Sequence, residues 1–451
     1  MKLTRAIMLA LATLVAAFAV GCGSPGESSD DAASTSTTRA TERVDVAAAG
    51  DVTLTVWDQE VRGGQAAQIK ELNRQFQEKY PNVTIKRVAK SFEDLNTTLK
   101  LAVSGPRAPD VVQANQGRPV MGQLVRARLL RPLTDYASVY GWDDRYSKLL
   151  LDLNKFSSDA RQFGTGDLYG LSQVGEIVGV FYNKRLVRRV PTTLEEFEAQ
   201  LAEAKRAGQT PIQFGNLDKW PGIHEYETVL GRYAPAQQVS DFVFAADGAS
   251  FDTPEFTEAA RTIQEWAKAG YFTEDFNGVG YDPAWQRFTR GESPYLIAGT
   301  WLVADLARAM GDDVGFMLLP GQSADDEPVA LGGEGLPFTI TSASKNPDVA
   351  AAYIDFITDA NAARVLVDTD NLPAMAVPDG VAPTSGLIGD VFTAWRGLNE
   401  ANGIIPYLDY ATPTFYDDVS GAIQELLAEK QSPEDFTKGV ESKYSEFTGS
   451  L

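Results

Sequence analysis

Histidine and cysteine are almost absent from this chain of 451 residues, which contains one of each, His224 and Cys22. A single cysteine excludes an intramolecular disulfide, and the two residues together are too few for a Cys/His zinc site. A Ser-His-Asp triad would have to use His224, and one histidine in so long a chain is more often structural or exposed than catalytic. We therefore expect no metal and no cofactor, and we interpret His224 as a surface or loop residue without chemistry.

Positive charge is also scarce, because 40 Lys and Arg residues face 61 Asp and Glu residues, for a net charge of −21. A surface this negative repels phosphate backbones, so nucleic acid is not an expected partner. The hydrophobic fraction of 44% and the charged fraction of 22% are typical of globular proteins. A chain of this length exceeds one hydrophobic core, which predicts two compact lobes.

Long apolar runs are missing except near the N-terminus, where Lys2 and Arg5 precede an apolar stretch over residues 6–20. This stretch is too short for a spanning helix and is typical of an export signal, so we assign residues 1–21 to a signal peptide. The sequence Ala-Val-Gly-Cys that ends at Cys22 resembles a bacterial lipobox. That resemblance implies lipidation of Cys22 and an anchor on the extracytoplasmic face of the membrane; the alternative is a plain secretory signal with an accidental cysteine.

Residues 22–50 are rich in Ser, Thr, Ala, Asp and Gly and contain no aromatic residue. Such a segment buries too little apolar area to offset its ordering entropy, which predicts a disordered tether.

The body of the chain alternates strand and helix patterns. Val52, Leu54 and Val56 alternate with polar residues as in a strand, and a helical pattern follows until Pro81. A strand beginning at Val83, a helix over residues 92–103 and a strand over residues 109–112 come next. This order predicts an α/β fold with a parallel sheet. Further helix starts are predicted by capping residues or proline at Thr193, Thr253, Asn346 and Ser432.

Several segments, in this order and spacing, resemble the extracellular solute-binding proteins of ABC importers, in the sugar-binding branch that includes maltose-binding protein. They lie at residues 54–57, 76–83, 168–171, 181–184, 288–292, 299–301, 332–333, 340–341 and 344–347. The resemblance implies the two-lobed fold of periplasmic binding proteins, with a hinge and an interlobe ligand cleft. We place residues 51–160 plus 296–345 in lobe 1 and residues 161–295 plus 346–451 in lobe 2.

The same resemblance implies a function without enzymatic chemistry. The protein would be a monomeric substrate-binding component of an ABC transporter. It would capture a sugar, an oligosaccharide or a polyol by lobe closure and deliver it to the transmembrane permease subunits.

A sugar needs hydrogen-bond partners for its hydroxyls and apolar plates for its C–H faces. Loops just past the C-terminal ends of parallel strands are the best positions for such side chains. We expect Asp58 to accept ligand hydroxyls and Trp57 to line the cleft, although Trp57 could equally be a core aromatic. Asn115 and Gln116 follow the third strand, and a turn role for Asn115 is the alternative.

The resemblance places the loop at residues 299–301 in the cleft, which makes Trp301 the strongest candidate and Thr300 its neighbour. A buried core position is the alternative for Trp301. Gly333 and Glu334 lie on the last crossover, where Gly333 could serve only as a hinge. In the second lobe, four residues in loop-like stretches are candidates that neighbouring protein could cover instead: Asp218, Trp220, Tyr226 and Trp285.

Three other functions remain open at this point, and one of them is an interaction protein that merely keeps this fold. A secreted carbohydrate-active hydrolase would use paired carboxylates, but 61 acidic residues make a suitably spaced pair uninformative. A binding protein for a polyamine or a cationic peptide would suit the acidic composition.

Overall fold

The computed structural model describes residues 40–451. The predicted signal peptide, the lipidation site at Cys22 and residues 23–39 of the predicted tether lie outside the described residues. Within residues 40–451, no helix is both long enough and apolar enough to cross a bilayer. In the same range, no group of three or more His, Cys, Asp or Glu side chains is arranged to hold a metal ion.

The folded body begins before residue 51, where the sequence had predicted its start. Val46 is buried, and the Asp45 carboxylate accepts hydrogen bonds from the backbone of the 3-10 turn Val46–Ala48. The Asn82 side-chain amide donates to the Val46 carbonyl at 2.8 Å, and Arg43 donates to the Tyr140 carbonyl at 3.2 Å. The predicted tether over residues 22–50 is therefore wrong for residues 43–48, because Val46 supplies an apolar contact that composition alone did not reveal.

The strands, in chain order, are β1 (Val52–Asp58), β2 (Val83–Ala89), β3 (Val111–Gln113), β4 (Lys155–Phe156), β5 (Asp167–Leu168), β6 (Gly175–Asn183), β7 (Tyr295–Gly299), β8 (Val314–Met317), β9 (Ala330–Glu334), β10 (Phe338–Ile340) and β11 (Ile404–Ile405).

The α-helices, in chain order, are α1 (Gly63–Lys79), α2 (Phe92–Ser104), α3 (Gln123–Arg126), α4 (Thr134–Tyr140), α5 (Lys148–Asp152), α6 (Leu194–Arg206), α7 (Trp220–Leu230), α8 (Ala236–Phe244), α9 (Pro254–Lys268), α10 (Tyr281–Thr289), α11 (Val303–Met310), α12 (Pro347–Phe356), α13 (Ala360–Asp368), α14 (Gly386–Ala401), α15 (Phe415–Leu427) and α16 (Pro433–Thr448). The hydroxyls of Thr193, Thr253 and Ser432 cap α6, α9 and α16, which confirms three predicted helix starts.

The first sheet has the strand order β10-β3-β1-β2. Strand β1 is parallel to both β2 and β3, as the alternation of strands and helices predicted. Its buried residues Val52, Leu54 and Val56 alternate with residues that are more exposed, which fixes the register of the sheet. Helix α12 packs on this sheet through Tyr353, whose hydroxyl donates to the Asn73 side chain of α1 at 2.7 Å.

The second sheet has the order β11-β9-β6-β7, with β8 also pairing with β6. Strand β6 runs antiparallel to β7, β8 and β9, and all but one of its residues are buried. The two sheets and their helices form the two α/β lobes of the fold.

The predicted lobe boundaries differ from this pairing. Strands β7, β8 and β9 were assigned to lobe 1 with residues 296–345, but they belong to the second sheet. Helix α12 was assigned to lobe 2, but it packs on the first sheet. The loop at residues 299–301 therefore does not return the chain to the first lobe. Strands β7, β8 and β9 lie more than 100 residues after β6 in the sequence, so no local pattern predicted their pairing with it.

Candidate ligand-binding cleft

A cleft lies between elements of the two sheets and has a volume of about 740 Å³, counting space open to solvent. From the first-lobe side it is lined by Gln59, Arg62, Gln65, Phe92, Glu93 and Asn115. From the second-lobe side, and from the segment that follows β9, it is lined by Glu176, Trp220, Ile223, His224, Trp301, Glu334, Leu336, Tyr407, Asp409, Tyr410 and Tyr416.

Aromatic rings form a continuous row along the cleft. Trp220 and Trp301 meet edge to face with ring centroids 6.0 Å apart, and the His224 ring lies 5.7 Å from Trp301. The row continues from His224 to Tyr407 at 5.3 Å and from Tyr407 to Tyr410 at 5.4 Å. Side chains of this kind present apolar faces together with polar edges, which suits a ligand with C–H faces and hydroxyls.

Distant parts of the chain position this row. Trp220 opens α7, Trp301 lies in the 3-10 turn Thr300–Leu302 after β7, and Tyr407 follows β11. The indole N–H of Trp301 donates to the Tyr281 hydroxyl at 2.7 Å, which fixes the ring orientation. The buried indole N–H of Trp220 has no hydrogen-bond partner among the described residues.

Two buried carboxyl groups, Glu176 on β6 and Glu334 on β9, line the cleft. Burial raises the pKa of each to about 8, because a low-dielectric environment disfavours the charged form. The Tyr407 hydroxyl donates to Glu176 at 3.5 Å, and the side-chain amide of Asn154 donates to Glu334 Oε1. Glu334 Oε2 is buried and lacks a hydrogen-bond partner in the described part of the chain.

Two more carboxyl groups lie near the cleft. Burial raises the pKa of Glu60 to about 7, and the Gln113 amide donates to its Oε1 at 2.7 Å. Burial likewise raises the pKa of Asp409, a lining residue, to about 7. Among the lining residues, Arg62 is the only Lys or Arg, and its guanidinium lies 3.0 Å from Asp282.

Four of the residues chosen from sequence line the cleft: Asn115, Trp220, Trp301 and Glu334. Asn115 Oδ1 lies 3.5 Å from the Tyr410 hydroxyl, which donates to it. These four come from both lobes, so a ligand in the cleft would contact both.

The structure does not bring Trp57, Asp58 or Gln116 to the cleft surface. Asp58 is fully buried, and both of its oxygens accept hydrogen bonds from Arg87 on β2. The carboxylate is therefore already engaged and is not free to accept ligand hydroxyls. Trp57 packs against the core beneath Lys90, whose Nζ lies 4.7 Å from the ring centroid. Gln116 is buried and donates to the carbonyls of Glu334 and the next residue.

Thr300 and Gly333 also lie outside the lining. The Thr300 hydroxyl accepts a hydrogen bond from the Ile177 amide at 3.2 Å and thereby links β6 to the turn that carries Trp301. Gly333 pairs with Glu176 across the second sheet and has a φ of +139°, which glycine adopts readily. Both residues contact β6 behind the cleft and do not form part of its surface.

The remaining candidates in the second lobe have partners within the protein. Tyr226 is fully buried, and its hydroxyl donates to the Phe256 carbonyl at 3.0 Å. Asp218 accepts from the Tyr281 amide at 2.8 Å, and the Trp285 indole N–H donates to Asp282 at 2.9 Å. Neighbouring protein engages these groups, which was the alternative given for them.

Sequence reasoning missed several lining residues. His224 was interpreted as a surface or loop residue, but it lies on α7 between Trp301 and Tyr407, where burial lowers its pKa to about 3. Tyr407, Tyr410 and Glu176 carried no local signal, because the first two lie in a short irregular segment and the third reads as part of a buried strand.

A cleft of this composition between two α/β lobes is the architecture of a protein that binds small solutes. The chain belongs to the bacterial extracellular solute-binding protein family, whose model matches residues 71–385. The maltodextrin-binding protein of Bacillus subtilis is 26% identical to it over 311 residues, which cover 66% of this chain and 68% of that protein. A maltooligosaccharide ABC transporter solute-binding lipoprotein of Streptococcus pneumoniae is 25% identical over 387 residues, covering 82% of this chain and 80% of its own.

Solved structures share the fold. A chitin oligosaccharide binding protein superposes with a TM-score of 0.75 at 20% identity, covering 88% of this chain and 99% of its own. The solute receptor AcbH, described as having an exclusive preference for β-D-galactopyranose, superposes with the same TM-score at 17% identity, covering 88% of this chain and all of its own.

Proposed function

We propose that this protein is the substrate-binding component of an ABC transporter and that it captures an oligosaccharide between its lobes for delivery to a membrane permease. The observation that carries the proposal is the row of aromatic rings from Trp220 to Tyr410 beside buried carboxyl and amide groups. Pyranose rings offer C–H faces to such rings and hydroxyls to such polar groups.

The mechanism is closure of the two lobes on the ligand. Asn115 and Arg62 face the cleft from the first lobe, and Trp301 and Glu334 face it from the second. A ligand that touches both sides binds the closed form more tightly than the open form, so it shifts the population toward closure. The permease subunits would then recognise the closed form.

Membership of an extracellular solute-binding family and the names of its relatives support this proposal. The two relatives described above are named for binding maltodextrin and maltooligosaccharide, and the second is named as part of an ABC transporter. We extend to this chain their general ligand class, an oligosaccharide, without choosing among sugars.

The test is a thermal-shift screen over mono- and oligosaccharides, polyols, amino acids and polyamines, because a specific ligand raises the melting temperature by mass action. We expect an oligosaccharide to give the largest shift, and chromatography of the same mixtures to show no products. Cleavage of the saccharide would support a hydrolase that uses the buried carboxyl groups. A shift with a polyamine or a peptide and none with saccharides would refute the ligand class.

We also propose that the protein acts as a monomer on the extracytoplasmic face of the membrane, anchored by a lipid on Cys22. The lipobox-like sequence and the relative named as a lipoprotein support the anchor. Replacing Cys22 by Ala should move the protein from the membrane fraction to the medium and abolish labelling by a fatty-acid probe. Retention of the Cys22→Ala variant in washed membranes would contradict the anchor.

A further inference from the structure

Acidic side chains outnumber basic ones in the lining of the cleft. The lining residues include the carboxyl groups of Glu93, Glu176, Glu334 and Asp409, whereas Arg62 is the only Lys or Arg among them. Arg62 is already paired with Asp282. Burial lowers the pKa of His224 well below neutrality, so its ring contributes no positive charge at pH 7. The lining therefore has an excess of acidic groups; burial keeps Glu176 and Glu334 largely protonated at pH 7 in the free protein, and a bound cation would favour their ionised forms.

Two buried carboxyl groups at this site have an oxygen atom without a donor. Glu334 is 1% exposed; Asn154 donates to Oε1, and Oε2 has no partner in the described part of the chain. Glu60 is 2% exposed and follows the lining residue Gln59; Gln113 donates to its Oε1, and its Oε2 is also without a partner within residues 40–451. A buried carboxylate without a partner is costly, and a cationic donor is the group that offsets this cost best.

The aromatic row adds a second reason to expect a cation. An ammonium group placed over the face of a tryptophan or tyrosine ring is attracted by the ring quadrupole, and the attraction increases when water is excluded. Trp220, Trp301, Tyr407 and Tyr410 supply such rings next to the carboxyl groups. A neutral sugar would pack on the rings and leave the excess carboxyl groups without a basic partner. A linear polyamine would pair with the carboxyl groups and leave much of the aromatic row without a ring face to pack against.

We infer that the ligand is a saccharide that carries a protonated amine, either an amino sugar or an oligosaccharide that contains one. Its ammonium group binds between the carboxyl groups of Glu334 and Glu176, which release their protons when it enters, and its pyranose faces pack on Trp220 and Trp301. This inference rests on the proposed function and narrows its ligand class.

Calorimetric titration with matched saccharide pairs at pH 7 tests the inference. Each pair exchanges a hydroxyl for an amine at the same carbon: glucosamine against glucose, galactosamine against galactose, and a β-1,4-linked glucosamine trimer against cellotriose. Maltotriose and spermidine complete the set. We expect at least one amine-bearing member to bind about tenfold more tightly than its hydroxyl partner.

A conservative variant locates the effect. Glu334→Gln keeps the size of the side chain and removes the carboxyl group that can ionise beside the ammonium, so the ratio of affinities within the best pair should fall toward one. Glu446→Gln, an exposed change on α16, is the matched control and should keep the wild-type ratio.

The outcomes of these titrations distinguish a failure of the amine inference from a failure of the proposed function. Equal affinity within every pair, or binding of maltotriose alone, would overturn the amine inference and leave the proposed function in place. An unchanged ratio in Glu334→Gln would remove Glu334 from the ammonium site. Binding of spermidine with no saccharide binding would overturn both the inference and the proposed oligosaccharide ligand.

Discussion

Arg62 Nη2 lies 3.0 Å from Asp282 Oδ1 and thereby joins the N-terminus of α1, which packs on the first sheet, to α10, which packs on the second. The guanidinium carbon also lies 5.7 Å from the centroid of the Tyr281 ring. The ion pair therefore connects the two lobes at the edge of the cleft, and Arg62 itself lines that cleft.

Breaking this ion pair should weaken ligand binding because a contact between the lobes beside the cleft is lost. Asp282 is 56% exposed, and exposed pairs contribute at most about 1 kcal/mol, so Asp282→Asn should reduce affinity by up to about fivefold. The exchanged double variant Arg62→Asp with Asp282→Arg should recover part of that loss. Calorimetric titration with the best ligand measures both effects.

The control for this prediction is Glu434→Gln, which breaks the pair that Arg261 on α9 forms with α16 within the second lobe. It should leave affinity unchanged. Equal affinity of wild type and Asp282→Asn would show that the cross-lobe pair does not contribute to closure.

Trp301 should contribute strongly to ligand affinity, since its ring lies in the aromatic row and its N–H is fixed by Tyr281. Trp301→Ala should weaken binding tenfold or more, a loss of about 1.4 kcal/mol or greater. Trp57→Ala removes an aromatic residue of the same size from a site outside the cleft and should leave the dissociation constant unchanged. A larger loss of affinity in Trp57→Ala than in Trp301→Ala would contradict the assignment of the cleft.

The buried carboxyl of Glu334 should make stability depend on pH. Its pKa is about 8 in the folded protein and 4.5 in a model peptide, so between these values the folded state keeps a proton that the unfolded state has released. Its contribution to stability is therefore complete below pH 4.5 and is lost as pH rises toward 8. The melting temperature of ligand-free Glu334→Gln should rise relative to wild type between pH 5 and about 8.

Glu446→Gln serves again as the exposed control and should follow the wild-type melting temperature at every pH. A difference between Glu334→Gln and wild type that stays constant with pH would mean that Glu334 is ionised in the folded protein throughout this range.

Gly333 should be intolerant of a side chain. Its φ of +139° is unfavourable for other residues, and a Cβ atom would lie 2.9 Å from Leu153 Cδ1. Gly333→Ala should therefore lower the free energy of unfolding by about 1–3 kcal/mol, measured by denaturant titration. Gly278→Ala is the control, because a Cβ there would meet no atom within 4 Å and its φ is not in the left-handed region. Equal stability of the two variants would contradict this reading of the β9 backbone.

Local patterns predicted much of the fold. The alternation at Val52, Leu54 and Val56 predicted β1, and the hydroxyls of Thr193 and Thr253 predicted the starts of α6 and α9. These features depend on neighbours within a few residues. The membership of β7 and β8 in the second sheet depends on pairing with β6 across more than 100 residues, which no window of sequence contains.

The same distinction between local and long-range contacts explains which candidate residues the structure places in the cleft. Trp301 and Glu334 were predicted because a family resemblance marked their segments, and the structure places both in the cleft. Asp58 was predicted because it ends a strand, but Arg87 from the neighbouring strand engages it. His224 was interpreted as a surface or loop residue, because one histidine in so long a chain is more often structural or exposed than catalytic. In the structure it lies on α7, where Pro221 occupies the first turn and its missing N–H costs nothing.

A titration that follows the intrinsic fluorescence of the tryptophans, with the same samples assayed for reaction products, distinguishes a saccharide-binding protein from an enzyme. We expect a saturable change with an oligosaccharide, near one molecule per chain and largely lost in Trp301→Ala, with the saccharide recovered intact. If none of the saccharides changed the fluorescence, or if the saccharide were cleaved during the titration, the proposed function would be wrong.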